Sequence, residues 1–236
     1  MSTLEYILLL AFIPVLIVAL YVYKRDVYKK EPIWELVKAF GVGMLSAVTV
    51  LIINALLHLS GVNLESVVFI KAYIGAGFIE ECTKFAFLYW LFWRNPNFDE
   101  RFDGIVYAVF VSMGFAFVEN VLYIYDGMEN VRQVAHARAI FAVPAHALFA
   151  IAMGYGMGLA RFSNRASGWL LTGGLFSAII IHGTYDFLLM YADFLSDVNE
   201  SFSAFIMLLF YIFVILMWIA GFKRMKNLIE EDKWRL

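Results

Sequence analysis

Two adjacent glutamates and a lysine one turn later, Glu80-Glu81-x-x-Lys84, interrupt an apolar stretch that runs from Val67 to Trp93. Further along the chain similar chemistry recurs at intervals. Glu119 and Asn120 come first, then Arg138 and His146, then His182 and Asp186, and Pro144, two residues before His146, is expected to kink its helix and free backbone carbonyls there. Carboxylates and imidazoles are the side chains that move protons and bind divalent metals. His182 and Asp186 are four residues apart, which on a helix puts them on one face, where the carboxylate can orient the imidazole or both can reach one ion. Glu80 and Lys84 have the same spacing and can pair, whereas Glu81 points about 100° away, toward a neighbouring helix. A charge at the centre of a membrane helix costs roughly 2.5–3.5 kcal/mol, so three within five residues imply pairing and a task.

Such a cluster supports three chemistries. It can hold a divalent metal, zinc being the usual one for His and carboxylate ligands, with an open position for water. It can activate water directly, with a glutamate as general base and His or Lys polarising a carbonyl. It can also relay protons or ions, which would make the protein a coupled transporter. A non-catalytic scaffold or immunity protein that keeps the shape of such a site is a further alternative. Other polar residues read as ordinary structure. His58 and His136 fall near helix ends, Asn54 lies near the outer end of its helix, and Cys82, beside Glu81, is not taken as a nucleophile. The small-residue runs Gly75-Ala76-Gly77 and Gly154-Tyr155-Gly156-Met157-Gly158 read as close helix packing.

The elements that must carry these residues are membrane helices. Apolar residues make up 63% of the 236 positions and charged residues 16%, against about 45–50% and about 25% in soluble proteins. That balance excludes an ordinary soluble fold, and no basic patch suggests nucleic acid. Seven apolar spans are expected, about Leu4–Tyr23, Leu36–Leu57, Val67–Trp93, Gly104–Tyr125, Val134–Ala160, Gly168–Tyr191 and Phe202–Phe222, each near the roughly 20 residues that cross a bilayer core. The fold class is therefore an all-α polytopic bundle of about seven or eight transmembrane helices in one domain, residues 1–236, with a central polar cavity. The first span reads as a retained helix and not a cleaved signal, because no basic residue precedes it.

Basic residues set the orientation. Lys24, Arg25, Lys29, Lys30, Arg94, Arg101, Arg161, Arg165, Lys223, Arg224, Lys226, Lys233 and Arg235 lie in alternate connections and the tail, against Arg132 alone on the other side. This predicts an outer N-terminus and a cytoplasmic C-terminus. The ionisable groups then fall in the middle to outer part of the bilayer. The tail from Lys223 reads as a solvated charged end.

Taken in order, Glu80-Glu81-x-x-Lys84, Phe115-x-x-x-Glu119-Asn120, His146 and His182-x-x-x-Asp186 resemble the motifs of the PrsW family, bacterial intramembrane proteases grouped with the CPBP/Abi-like endopeptidases. The resemblance extends to Glu31-Pro32. It implies a plasma-membrane metallo- or glutamate-dependent peptidase that makes the first cut in an anti-sigma factor, a membrane-anchored protein, in a stress-signalling cascade. Carried over by motif, Glu80 is the water activator and Glu81 a second, structural or electrostatic acid. Glu119, His146, His182 and Asp186 complete the catalytic set, in which His146 and His182 either bind a metal with Glu119 or stabilise the oxyanion. Lys84, Asn120 and Arg138 support them. Prenyl endopeptidases carry a histidine where Glu119 stands, which argues against a prenylated substrate.

Overall fold

The computed structural model describes residues 3–163 and 165–234; Arg235, counted above among the basic residues, lies outside them. Nine α-helical segments are present among the described residues. α1 is Thr3–Arg25 and α2 is Ile33–Leu59, which ends where Gly61 takes a φ of +80°. The third span is less regular. α3, Val68–Ile70, opens into a π-helical stretch, Lys71–Phe78, before α4 resumes over Ile79–Phe92. α5 is Asp103–Asp126. After a short 3₁₀ turn, α6 covers Val131–Ala137, a second π-helical stretch covers Arg138–Ala142, and α7 covers Val143–Arg161. α8 is Ser167–Ser196 and α9 is Glu200–Lys233, capped where Asn199 Oδ1 accepts from the Phe202 backbone N–H.

Among the described residues, six helices are long and apolar enough to cross a membrane: Thr3–Arg25, Ile33–Leu59, Asp103–Asp126, the run Met128–Arg161, Ser167–Ser196 and Glu200–Lys233. The seventh expected span is helical throughout residues 68–92, but its charges and its π-wound half set it apart from the other six. The bundle is inverted relative to a soluble protein on its outer helices. α1, α2, α8 and α9 expose Leu, Ile and Phe on one side, for example Ile17, Ile52, Phe176 and Ile219. Most residues of α5 and α7 are buried at its centre. The two central helices approach closely because they meet at glycine: a Cβ on Gly104 would lie 2.5 Å from the Gly154 carbonyl oxygen. The small-residue run in α7 is thus packing, as expected.

Two departures from the sequence reading concern helix regularity and the tail. Pro144 lacks an N–H, so the turn before it cannot close its α-helical bonds. The chain answers with the π-helical stretch Arg138–Ala142 in place of a simple bend. The tail is not a solvated end. α9 continues as helix to Lys233 and buries Met225, Leu228 and Asp232. Asp232 accepts from the backbone N–H groups of Arg101 and Phe102 at 3.0 and 2.9 Å, which satisfies donors at the start of α5.

Candidate active site

Four helical segments bring their polar residues together at one level of the bundle. α4 supplies Glu80, Glu81 and Lys84, α5 supplies Glu119 and Asn120, α7 supplies His146, and α8 supplies His182 and Asp186. The His146 and His182 rings lie 5.6 Å apart, nearly perpendicular. A cavity of about 670 Å³ runs beside them. Its walls include Glu80, Glu119, Arg138, His146, His182 and Asp186, and it extends to Asn63 and Glu65 in the loop between α2 and α3.

The two adjacent glutamates have different surroundings. Glu81 is 1% exposed and does not line the cavity. Its Oε1 accepts from Lys84 Nζ at 2.8 Å and from His182 Nδ1 at 2.9 Å. Glu80 is 13% exposed on the cavity wall and meets Lys84 Nζ at 3.3 Å. The expected Glu80–Lys84 pair is therefore present, but the shorter contact belongs to Glu81, which does lock onto a neighbouring helix as its direction implied. Lys84 is buried, with its ammonium 3.8 Å from the Phe115 ring centroid and 3.4 Å from His146 Nδ1.

Those distances assign roles to the ring nitrogens. An ammonium is a donor only, so His146 Nδ1 facing Lys84 acts as acceptor. The ring hydrogen then sits on Nε2, which donates to Glu119 Oε2 at 2.7 Å. His182 is held differently. Its Nδ1 donates to Glu81, and its Nε2 faces Asp186 Oδ2 at 3.4 Å. An imidazole between two carboxylates needs positive charge on the Nε2 side, either a second proton or a metal ion. Phe149 stacks on the His182 ring at 4.4 Å and fixes its plane.

Arg138 belongs to the acidic cluster and is no interfacial anchor. Its guanidinium donates to Glu119 Oε2 and to Asn120 Oδ1, each at 2.6 Å, and lies over the Tyr123 ring at 4.2 Å. Asn120 in turn donates to the Ala11 carbonyl of α1 at 3.2 Å. The structure thus gathers every residue singled out as catalytic or supporting. His58 and Asn54 line the outer part of the same cavity, and His136 does not line it. Phe115 belongs to the motif quoted above; Tyr123, Phe149 and Tyr185 around the site were not anticipated, since aromatic residues are frequent throughout this chain.

Among the described residues, one group of potential metal donors here is Glu80, Glu81 and His146, with one ligand atom from each within 4.8 Å of the others. The ammonium of Lys84 already touches all three. That group is a cradle for lysine, although Glu80 and His146 share the cavity wall with His182, Asp186 and Glu119.

The model of the PrsW family, described as intramembrane metalloproteases, matches residues 31–219. Relatives named Protease PrsW are similar over most of the chain. That of Clostridioides difficile strain 630 is 33% identical over 230 residues, covering 95% of this chain and 92% of its own length. That of Oceanobacillus iheyensis is 33% identical over 218 residues, 92% of this chain and 94% of its own. That of Bacillus subtilis strain 168 is 36% identical over 171 residues, 72% and 76%. No solved structure gives a significant match. A matched family model across most of the chain and a buried glutamate–histidine cluster beside a cavity lead to the same conclusion: this chain belongs to the PrsW family of intramembrane metalloproteases.

Proposed function

We propose that Glu80 is the general base that activates water in this peptidase, and that the scissile bond belongs to a membrane-anchored protein and lies near the outer surface of a bacterial plasma membrane. The single observation that carries this is the contrast between the paired glutamates: Glu80 opens on the cavity, while Glu81 is enclosed by Lys84 and His182. The positive-inside count puts the loop between α2 and α3 outside, so the cavity wall from Glu65 down to Glu80 forms the entry.

The donor set fits a metal. His182 Nε2 and Asp186 face one another with a charge still to be supplied between them, and Glu81 holds the far side of the ring as an outer partner of a ligating histidine commonly does. His182 Nε2 and Asp186 would hold the ion, with Glu119, bonded to Arg138 and His146, on the same cavity wall. A bound divalent ion would supply Lewis-acid polarisation of the carbonyl and a more acidic water.

The protein's own groups account for the rest. Glu80 accepts a proton as the water oxygen attacks the carbonyl carbon. The carbonyl oxygen takes up the electron pair, and its developing charge is stabilised by the cationic groups of the site. When the C–N bond breaks, the leaving amine takes the proton from Glu80. Lys84 and Arg138 keep Glu81 and Glu119 ionised and in place.

The finer assignment is the first cleavage of an anti-sigma factor. Its support is the family relationship together with a cavity that opens toward one face. The test is the purified enzyme in detergent with a single-span reporter carrying a cleavable segment just outside its membrane helix. Wild type should cut it and Glu80→Gln should not; equal rates would overturn the assignment of Glu80. Co-expression with a candidate anti-sigma factor should shorten that protein only when Glu80 is intact.

A further inference from the structure

A second group of acids lies at the other end of the bundle. Asp26 follows α1, Glu100 precedes α5, and Asp103 begins α5. One carboxylate oxygen from each lies within 4.8 Å of the others, and all three side chains are buried. Asp103 is sixteen residues before Glu119 on α5, roughly 24 Å of helix, so this group is separate from the catalytic one.

Two of the acids have one oxygen already bound. Asp26 Oδ2 accepts from the Glu31 N–H at 3.0 Å, and Asp103 Oδ2 accepts from the N–H groups of Asp99 and Glu100 at 3.0 and 2.7 Å. The remaining oxygens, Asp26 Oδ1, Asp103 Oδ1 and Glu100 Oε1, are buried without a hydrogen-bond partner among the described residues. Neighbouring cations are engaged elsewhere: Lys29 pairs with Asp99, Arg101 with Glu231, and Lys30 donates to the Tyr23 carbonyl. Three converging carboxylates with three unused, desolvated oxygens call for a positive charge that the chain does not provide.

We infer that Asp26, Glu100 and Asp103 form a binding site for a hard divalent cation of the calcium–magnesium type, which ties the α1–α2 loop to the start of α5. All-oxygen, carboxylate-rich donors suit such ions and not zinc. Asp232, on the Arg101 and Phe102 N–H groups beside the site, brings the end of α9 to the same place. The bound ion would fasten the α1–α2 loop to the connection that leads into the helix carrying Glu119.

The test uses the full-length protein in detergent, stripped with EDTA, in a His182→Ala background that removes the catalytic-site ligand. Thermal unfolding is followed while Ca2+, Mg2+ or Mn2+ is added, and bound Mn2+ is counted by electron paramagnetic resonance. At a hundredfold excess over Kd the melting temperature should rise on the order of 5 °C and saturate. One Mn2+ should bind per chain, and Asp26→Asn and Asp103→Asn should lose both responses. No saturable shift or binding, a response that occurs only with His182 intact, or one that survives Asp26→Asn would each overturn the assignment. If Asp103→Asn does not fold, the Mn2+ count in the parent and in Asp26→Asn decides.

Discussion

Glu81 and His182 meet across α4 and α8 at 2.9 Å, and through that bond the lysine cradle of α4 sets the ring that faces Asp186. Glu81 is thus enclosed between Lys84 and His182, while its neighbour Glu80 lines the cavity, where the proposed base would meet substrate. Glu80→Gln should lower kcat about 10²–10⁴-fold with little change in melting temperature. Glu81→Ala should instead unfold readily. Removing one partner of a buried ion pair costs roughly 3–5 kcal/mol, a fall in Tm on the order of 6–12 °C or more. Thermal melts of both variants beside their turnover rates separate the two roles; a stable, inactive Glu81→Ala would contradict this division.

Metal content should depend unequally on the two histidines. His182 presents Nε2 toward Asp186 with its other nitrogen engaged by Glu81, whereas His146 has its acceptor nitrogen against the Lys84 ammonium. After EDTA treatment and zinc reloading, His182→Ala should retain almost no zinc, and His146→Ala should retain a substantial share while losing activity. Asp186→Asn should weaken zinc about 10–100-fold. Elemental analysis of the purified variants reads this directly. Equal loss in both histidine variants would return His146 to the ligand set.

Arg138 grips Glu119 and Asn120 with a planar fork, and Asn120 is anchored to α1. A lysine retains the charge but cannot reproduce two directed bonds. Arg138→Lys should fold normally and lose activity by about 10²-fold through misplacement of Glu119. The expected signature is a lower kcat with nearly unchanged KM for the reporter substrate.

The membrane helices and the catalytic cluster were legible in the sequence for one reason: charge in an apolar span is costly, so Glu80, Lys84, Glu119 and His182 stand out against their surroundings. Their four-residue spacings also survive folding, because the regular helix resumes at Ile79. Which groups enclose Glu81 was not legible from spacing, since it depends on which face α8 covers. The cluster of Asp26, Glu100 and Asp103 was missed for the opposite reason. Its members lie in polar connections, where acids are unremarkable, and only the packing of α1 and α5 buries them together. The end of α9 misled in the same way, because its charges hide a buried stripe of Met225 and Leu228.

The π-helical stretch before Glu80 offers a last test, because two glycines one residue apart within it face different surroundings. A Cβ on Gly77 would lie 2.8 Å from the Ile179 carbonyl oxygen and 3.1 Å from the Gly183 nitrogen, both backbone atoms of α8 that cannot step aside. Gly77→Ala should therefore push α8 away from α4, at a cost of about 1–3 kcal/mol. Because Glu81 and His182 are bonded across that same contact, activity should fall with stability. At Gly75 the nearest atom to a new Cβ is the Ile70 carbonyl oxygen at 4.0 Å, which is ordinary contact. Gly75→Ala should leave the melting temperature unchanged or raise it slightly, since alanine restricts the unfolded chain by about 0.4–1 kcal/mol. Paired melts of the two variants distinguish a specific close approach of α8 from a general need for small residues. Equal destabilisation by both would show that the π-helical winding itself, and not the contact at Gly77, is what the glycines protect.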